Sequence, residues 1–216
     1  MSLQSEFDAF KAQWTERVGP ESAKMMSEDI ASQASMVGMA LKEGDAFPVM
    51  ALPDQRGGLL DIAAVARAQP VVVTFYRGGW CPYCSLELRA YQKILPEIQQ
   101  LGARLVAVSP EVPDSTLTTA EKNELSFSVL SDINGALADA LGIRNELSTP
   151  VKAYFLKAGH DLPTRNGDGR WSLPIPATYV VGRDSRIVTA QVDPDYRKRQ
   201  DPQSVLDALR DLATRT

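Results

Sequence analysis

The fold of this chain is decided by one stretch before its middle, which reads Val71-Val72-Val73-Thr74-Phe75-Tyr76-Arg77-Gly78-Gly79-Trp80-Cys81-Pro82-Tyr83-Cys84. Its apolar, β-branched beginning predicts a buried strand over residues 71–76. A Gly-Gly loop and Trp80 follow, and Pro82 suits the first position of a helix. Cys81 and Cys84 are the only two cysteines of the chain. The stretch therefore predicts a strand, a tight loop and a helix that opens with a Cys-x-x-Cys pair.

A cysteine pair at the start of a helix has the chemistry of a redox site. The helix N-terminus offers unsatisfied N–H groups and the positive end of its dipole, and both stabilise a thiolate. The thiolate is the nucleophilic form of cysteine. On the residues alone, Cys81 is the predicted attacking sulfur and Cys84 the resolving one. Trp80 and the two glycines predict a flat surface at which a substrate sulfur approaches.

Size and composition limit the possible classes of protein. The chain has 216 residues, 44% of them apolar and 23% charged, with a formal charge of −4. These values fit a soluble domain with an appendage, and they argue against a nucleic-acid partner. No apolar run approaches the ~20 residues of a membrane helix, so no membrane partner is expected. The N-terminus lacks the features of a signal peptide, and we expect a cytoplasmic location. In that compartment a lone cysteine pair fits a catalytic, redox-sensing or metal role better than a structural disulfide.

The chain is predicted to have two parts, a helical extension over residues 1–43 and a domain over 44–216. The extension begins with an amphipathic helix whose apolar residues are Leu3, Phe7, Phe10 and Trp14. Gly19-Pro20 should break it. A second amphipathic helix is predicted from Ile30, Ala34, Val37 and Leu41. This helical arm is expected to cover the domain or to supply a dimer contact, and a packed arm without chemistry is the plainer interpretation.

The domain is predicted to alternate strands and helices. Strands are expected over residues 49–52, 71–76, 105–108, 127–130, 178–181 and 186–192, with a turn at 165–170 in an otherwise unassigned stretch. The order β-α-β-α-β-α-β-β-α implies a mixed α/β sheet with helices on both faces. That order, with Cys-x-x-Cys after a parallel strand, resembles the thioredoxin fold. The central Pro82-Tyr83 pair resembles glutaredoxins, while Trp80-Cys81 resembles thioredoxins.

The same stretch also resembles the peroxiredoxins, the alkyl hydroperoxide reductase/thiol-specific antioxidant family. Laid over the family pattern without a gap, residues 75–87 place Cys84 at the peroxide-attacking position and Glu87 at the family Glu. Further matches start at Gly44 and cover 105–109 and 132–142, so the resemblance extends over about residues 44–216. It implies a peroxiredoxin-type thioredoxin fold and a thiol-dependent peroxidase or reductase.

Three positions depart from the family pattern. Arg77 replaces a proline, Cys81 replaces the threonine, and Pro176 stands where the family has an arginine that polarises the peroxide. Arg77 is either a substitute cation beside the thiolate or an exposed arginine at a strand end. The segment Ile175-Pro176-Ala177 resembles the cis-proline loop of thioredoxins, with a trans proline as an equal alternative.

The combined prediction is an antioxidant thiol oxidoreductase that reduces hydroperoxides or disulfides through a Cys81–Cys84 dithiol cycle. Trp80, Arg77, Pro176 and Glu87 are its predicted supporting residues. No bound cofactor is expected; the partners would be a small peroxide or disulfide and a thiol reductant of the thioredoxin or glutathione type. A homodimer is consistent with the family resemblance and the apolar arm.

Several alternatives stay open at this point. The disulfide of a non-catalytic redox sensor or interaction module would control packing of the helical arm. A metal site is disfavoured because His160 is the only histidine. Glu87 is either a proton relay or, by preference, a solvated helix residue. The charged linker 193–199 is expected to be a solvated loop, with substrate or partner binding as the alternative.

Overall fold

The structure is a computed structural model that describes residues 3–214. Residues 1, 2, 215 and 216 of the two predicted parts lie outside the described residues. The strands are β1 Ala51–Pro53, β2 Leu59–Asp61, β3 Val71–Phe75, β4 Arg104–Ser109, β5 Ser128–Ser131, β6 Arg144–Glu146, β7 Ser172–Pro174, β8 Ala177–Val181 and β9 Ile187–Val192. The helices are α1 Leu3–Ser32, α2 Ala34–Val37, α3 Ile62–Ala66, α4 Pro82–Gln100, α5 Pro113–Lys122, α6 Ala136–Ala140, α7 Thr149–Lys157, α8 Leu162–Asn166 and α9 Pro202–Thr214, and a 3₁₀ turn covers Ile133–Gly135.

The centre of the fold is a five-stranded mixed sheet with the strand order β5-β4-β3-β8-β9. Strand β3 pairs in parallel with β4, which pairs in parallel with β5. On its other side β3 pairs antiparallel with β8, and β8 with β9. The prediction of a mixed α/β sheet with an N-terminal helical extension is confirmed.

Apolar side chains cover both faces of the sheet. All five residues of β3 are buried, as its β-branched sequence predicts for a central strand. One face packs against α4 and α9 through Leu88, Tyr91 and Leu206. The other face packs against α3 and α6. Because β3 is held on both faces, the loop that leaves its carboxyl end and the start of α4 are fixed in place.

The helical arm lies against the domain. Helix α1 contacts α4 and α7, and the side chain of Phe7 is fully buried in the core next to α4. The predicted break at Gly19-Pro20 is a kink at Gly19, whose φ is +79°, and the helix continues to Ser32. The second predicted helix is reduced to the single turn α2.

Residues 144–175, the stretch around the predicted turn for which the sequence indicated no further elements, add structure that packs against Trp80 in the loop after β3. Strands β6 and β7 pair antiparallel, and α7 and α8 lie between them along the chain. Residues of this insertion form a small apolar cluster that includes Val151, Phe155 and Leu173. Within residues 3–214, none of the helices combines the length and the apolar character needed to cross a membrane.

Candidate active site

The two cysteines lie at the start of α4, after the loop that follows β3. Cys81 is the N-cap residue, with extended φ and ψ of −89° and 114°, and Pro82 occupies the first helical position. Cys84 lies in the first turn. Both are free thiols, and both are buried, with exposures of 2% and 0%. The expectation of a flat surface at which a substrate sulfur approaches is therefore wrong, because the helical arm packs against α4 and both sulfurs are buried.

The loop before the cysteines is packed too closely for larger residues. A Cβ on Gly78, whose φ is +146°, would lie 2.3 Å from the indole nitrogen of Trp80. A Cβ on Gly79 would lie 2.1 Å from the hydroxyl of Thr119. The N–H of Gly79 donates to the buried carboxylate of Glu111 at 2.8 Å. The two glycines thus allow Trp80 and Cys81 to be placed against the domain.

The two sulfurs are in different electrostatic states. The Cys84 thiol donates a hydrogen bond to Cys81, and this bond is the largest cause that lowers the pKa of Cys81 to about 6; burial opposes it, while the charges of Arg77 and Arg199 add to it. Burial raises the pKa of Cys84, and the hydrogen bond that it donates to Cys81 raises it further. These directions favour the negative charge of the pair on Cys81 and the proton on Cys84.

Arg77 is a buried cation beside the cysteines. Only 7% of it is exposed, which excludes the alternative of a solvated strand-end arginine. Its guanidinium lies 4.0 Å from the ring centroid of Tyr196, 5.2 Å from that of Trp80 and 5.7 Å from that of Phe155. Its backbone N–H donates to the Cys84 sulfur at 3.4 Å. The aromatic rings hold the guanidinium in place without neutralising its charge.

Glu87 and Arg199 form a buried ion pair below the cysteines. The Nε of Arg199 donates to Glu87 at 2.8 Å, and the two side chains are 3% and 1% exposed. Burial raises the pKa of Glu87 to about 7 against the opposing charge of Arg199. The preferred interpretation of Glu87 as a solvated helix residue is therefore wrong. The interpretation of 193–199 as a solvated loop is also wrong, since Tyr196 and Arg199 reach the site.

Arg199 brings a cation close to Pro176, the position at which the family pattern has an arginine. Its Nη2 lies 3.8 Å from the Cys84 sulfur. Pro176 lines the same small cavity as Glu87 and Arg199, so the proline that replaces the family arginine is adjacent to the cation that the linker supplies. The Ile175–Pro176 peptide is trans, as are all peptide bonds among residues 3–214.

The sequence predicted some residues of the site and gave no indication of others. The structure places Trp80, Arg77 and Glu87 beside the cysteine pair, and Pro176 lines small cavities that it shares with Arg77 and Glu87. It adds Arg199 and Tyr196, which carried only the signal of a charged, aromatic linker, and Glu111, which carried none. The ring of His160 lies 5.1 Å from that of Trp80, measured between ring centroids. In the described part of the chain, no three His, Cys, Asp or Glu side chains converge in a way that could hold a metal ion.

Comparison with known proteins gives consistent matches. The model of the AhpC/TSA family matches residues 44–190. The peroxiredoxin Bcp of Escherichia coli is 30% identical over 114 residues, which are 53% of this chain and 72% of that protein. The solved structure of peroxidoxin BcpB from Mycobacterium tuberculosis superposes with a TM-score of 0.63 at 21% identity, over 80% of this chain and 98% of that one. Peroxiredoxin Q of Xanthomonas campestris gives a TM-score of 0.60 at 22% identity, over 76% and 91%.

Proposed function

The chain belongs to the AhpC/TSA family, and on that premise we propose that it reduces hydroperoxides by cycling Cys81 and Cys84 between a dithiol and a disulfide. Membership makes the chain a thiol-dependent oxidoreductase with a peroxiredoxin-like antioxidant role. It also favours an enzyme over the non-catalytic sensor or interaction module. The observation that carries the dithiol cycle is the placement of two free thiols at the start of one helix, Cys81 at its N-cap and Cys84 in its first turn, with the N–H of Arg77 and the guanidinium of Arg199 against the Cys84 sulfur.

The proposed cycle begins at Cys81. Its thiolate attacks one peroxide oxygen, so an S–O bond forms, the O–O bond breaks, and the departing alkoxide or hydroxide takes up a proton. Cys81 is then a sulfenic acid. The Cys84 thiol attacks that sulfur, which forms the disulfide and releases water. Two external thiols then restore the dithiol and are themselves oxidised to a disulfide.

Three neighbours support this cycle through charge. Arg77 and Arg199 favour the negative charge on the cysteine pair. Glu87 holds Arg199 against the Cys84 side of the pair. We assign these groups as positioning residues. The assignment of the attack to Cys81 differs from the family alignment, which places Cys84 at the peroxide-attacking position; Cys81 is favoured because it lines the cavity beside the site.

The thiol reductant, the oligomeric state and the cellular location are proposed on separate grounds. An external thiol of the thioredoxin or glutathione type would supply the electrons, since the cycle consumes two thiols for each peroxide. A cytoplasmic location, a homodimer, and the division of the chain at residues 43 and 44 stay predictions from the sequence.

The proposed function is tested by intact-mass measurement after oxidation. One equivalent of hydroperoxide is expected to remove two hydrogens from the reduced protein, and digestion should locate a disulfide between Cys81 and Cys84. A parallel titration with glutathione disulfide serves as the comparison. If glutathione disulfide oxidises the pair faster than hydroperoxide does, a disulfide is the substrate and the peroxidase proposal is wrong.

A second prediction concerns pH. Because the thiolate is the attacking form and the pKa of Cys81 is lowered to about 6, the rate of its alkylation by iodoacetamide should rise with pH through about 6 and level off above it. At about pH 5 the rate should be about a tenth of the plateau. The Cys81→Ser variant is the control and should lose this phase. A single midpoint near the ordinary thiol pKa of about 8.5 would contradict the assignment.

A further inference from the structure

Glu111 is a buried carboxylate that has no part in the proposed cycle. It follows the end of β4, and only 2% of it is exposed. None of the ion pairs among residues 3–214 includes it. Burial raises the pKa of Glu111, while the N–H of Gly79 and the charge of Arg165 oppose that rise. Burying a carboxylate is costly unless other groups compensate, so its contacts indicate what it does.

The carboxylate of Glu111 contacts the loop that precedes Cys81. One of its oxygens accepts the N–H of Gly79 at 2.8 Å. A Cβ on Gly78 would lie 3.0 Å from its carboxyl carbon, so the carboxyl group packs against the peptide between the two glycines. The backbone N–H of Glu111 donates to the hydroxyl of Ser109 at 3.3 Å. The acceptor is therefore held by the end of β4 and not by α4.

The same peptide unit contacts Cys81 on its other side. The C=O of Gly78 accepts the N–H of Cys81 at 3.1 Å, which closes a turn over residues 78–81. The C=O and N–H of a trans peptide point in opposite directions. Glu111 thus binds one side of this peptide and Cys81 the other. One planar unit connects the carboxylate after β4 to the backbone of the cysteine.

The orientation of this peptide depends on its partners. Both flanking residues are glycines, which have the greatest backbone freedom, and Gly78 has a φ of +146°. Rotation of the peptide would turn its carbonyl away from Cys81. The C=O of Cys81 accepts the N–H of Ser85 in α4, so the helix holds this cysteine on its carboxyl side only. The contact with Glu111 fixes the peptide that holds the amino side.

From these contacts we propose that Glu111 is a positioning residue, which holds the Gly78–Gly79 peptide and thereby sets the placement of Cys81 relative to Cys84. This inference rests on the proposed function, because the proposed cycle requires the two sulfurs to meet. Glu111 acts through its oxygen acceptor and not through its charge. Such placement matters for a bond-forming step, since a displacement of about 1 Å can cost about a hundredfold in rate.

Three substitutions of Glu111 separate the acceptor from the charge. Glu111→Gln keeps an acceptor oxygen and removes the charge, whereas Glu111→Met keeps the length of the side chain and removes both. Glu111→Asp keeps the charge and withdraws the acceptor by about 1.5 Å, one carbon–carbon bond. Glu121→Met is the matched control, because Glu121 is exposed on α5. If Glu111→Met does not fold, Glu111→Asp provides the same comparison.

The first measurement is hydrogen exchange of single backbone amides by NMR. In Glu111→Met and Glu111→Asp, the protection of both the Gly79 and the Cys81 N–H should fall at least about tenfold, and in Glu111→Gln by no more than about threefold. A residue that only satisfies the Gly79 donor would change the protection of Gly79 alone. The amide of Val73, inside β3, reports on global unfolding and distinguishes a general loss of stability from a local one.

The second measurement is the equilibrium of the cysteine pair with glutathione. The protein dithiol and one glutathione disulfide give the protein disulfide and two glutathione thiols. The equilibrium constant should fall at least about tenfold in Glu111→Met and Glu111→Asp, and no more than about threefold in Glu111→Gln. Glu121→Met should leave it unchanged. No peroxide enters this measurement, so it does not depend on peroxidase activity.

The outcomes separate this inference from the proposed function. If Glu111→Met leaves the protection of the Cys81 N–H or the glutathione equilibrium unchanged, the inference is wrong. It is also wrong if Glu111→Gln has as large an effect as Glu111→Met, or if Glu111→Asp matches the wild type, because the charge would then be what acts. If the wild type reduces no hydroperoxide while the variants behave as expected, the proposed peroxidase function fails and the positioning of the pair by Glu111 stands.

Discussion

Replacing Cys81 with serine should slow the first oxidation by hydroperoxide at least about a thousandfold, because it removes the sulfur to which we assign the attack and whose pKa is lowered. Cys84→Ser should retain that first step within about tenfold, since the serine hydroxyl can still donate a hydrogen bond to Cys81. It should, however, stop at the sulfenic acid, because the resolving sulfur is missing. Both variants replace one cysteine with serine, so each serves as the control for the other.

The measurement is stopped-flow detection of peroxide consumption, followed by mass analysis of the trapped protein. Cys84→Ser should gain one oxygen on Cys81, and Cys81→Ser should gain none in the same time. The opposite pattern, with attack retained in Cys81→Ser and lost in Cys84→Ser, would return the attacking role to the position that the family alignment gives. The contacts that Arg77 and Arg199 make with the Cys84 sulfur would then be the ones that stabilise the attacking thiolate.

The second large effect is expected for Arg199→Gln. The change leaves Glu87 buried without its 2.8 Å partner, and breaking such a pair typically costs about 3–5 kcal/mol of the free energy of unfolding. It also removes a positive charge that lowers the pKa of Cys81. Chemical denaturation should therefore show a large loss of stability, and the midpoint of the alkylation profile should move to higher pH.

A double variant separates these two effects. With Glu87→Gln added, the buried pair becomes two amides that can hydrogen-bond, so much of the lost stability should return. The alkylation midpoint should remain raised, because the cation is still missing. Arg210→Gln is the matched control, since its ion pairs are about half exposed and such pairs contribute about 0–1 kcal/mol. An unchanged alkylation midpoint in Arg199→Gln would show that Arg199 has only a structural role.

The sheet could be predicted because its signals are local. The β-branched run of β3 and the glycine-bounded strands after it carry their own periodicity, and right-handed crossovers leave few ways to join them. The insertion between β6 and β7 could not be assigned. Its strands have three residues each and are defined by pairing across a long separation in the chain, which no local pattern reports.

The site was predictable only where its residues are close in sequence. The Cys-x-x-Cys pair, Trp80 and Arg77 form one stretch, so their proximity followed from the chain itself. Glu87 was misjudged because a glutamate on a helix is usually solvated, and only its partner 112 residues later makes burial tolerable. Arg199 in turn has no local motif. Its role depends on the path of the linker between β9 and α9.

The position of the arm decides which molecules can regenerate the enzyme without rearrangement. Phe7 and Phe10 lie edge-on against Tyr83, the residue between Pro82 and Cys84, with centroids 5.5 and 5.0 Å away. A folded protein donor carries its cysteine on a broad surface, and α1 is expected to obstruct that surface because Cys81 is only 2% exposed at the start of α4. A tripeptide-sized thiol needs only the width of the cavity. We therefore expect electron delivery by a protein to need displacement of the arm, and delivery by a small thiol to leave the arm in place.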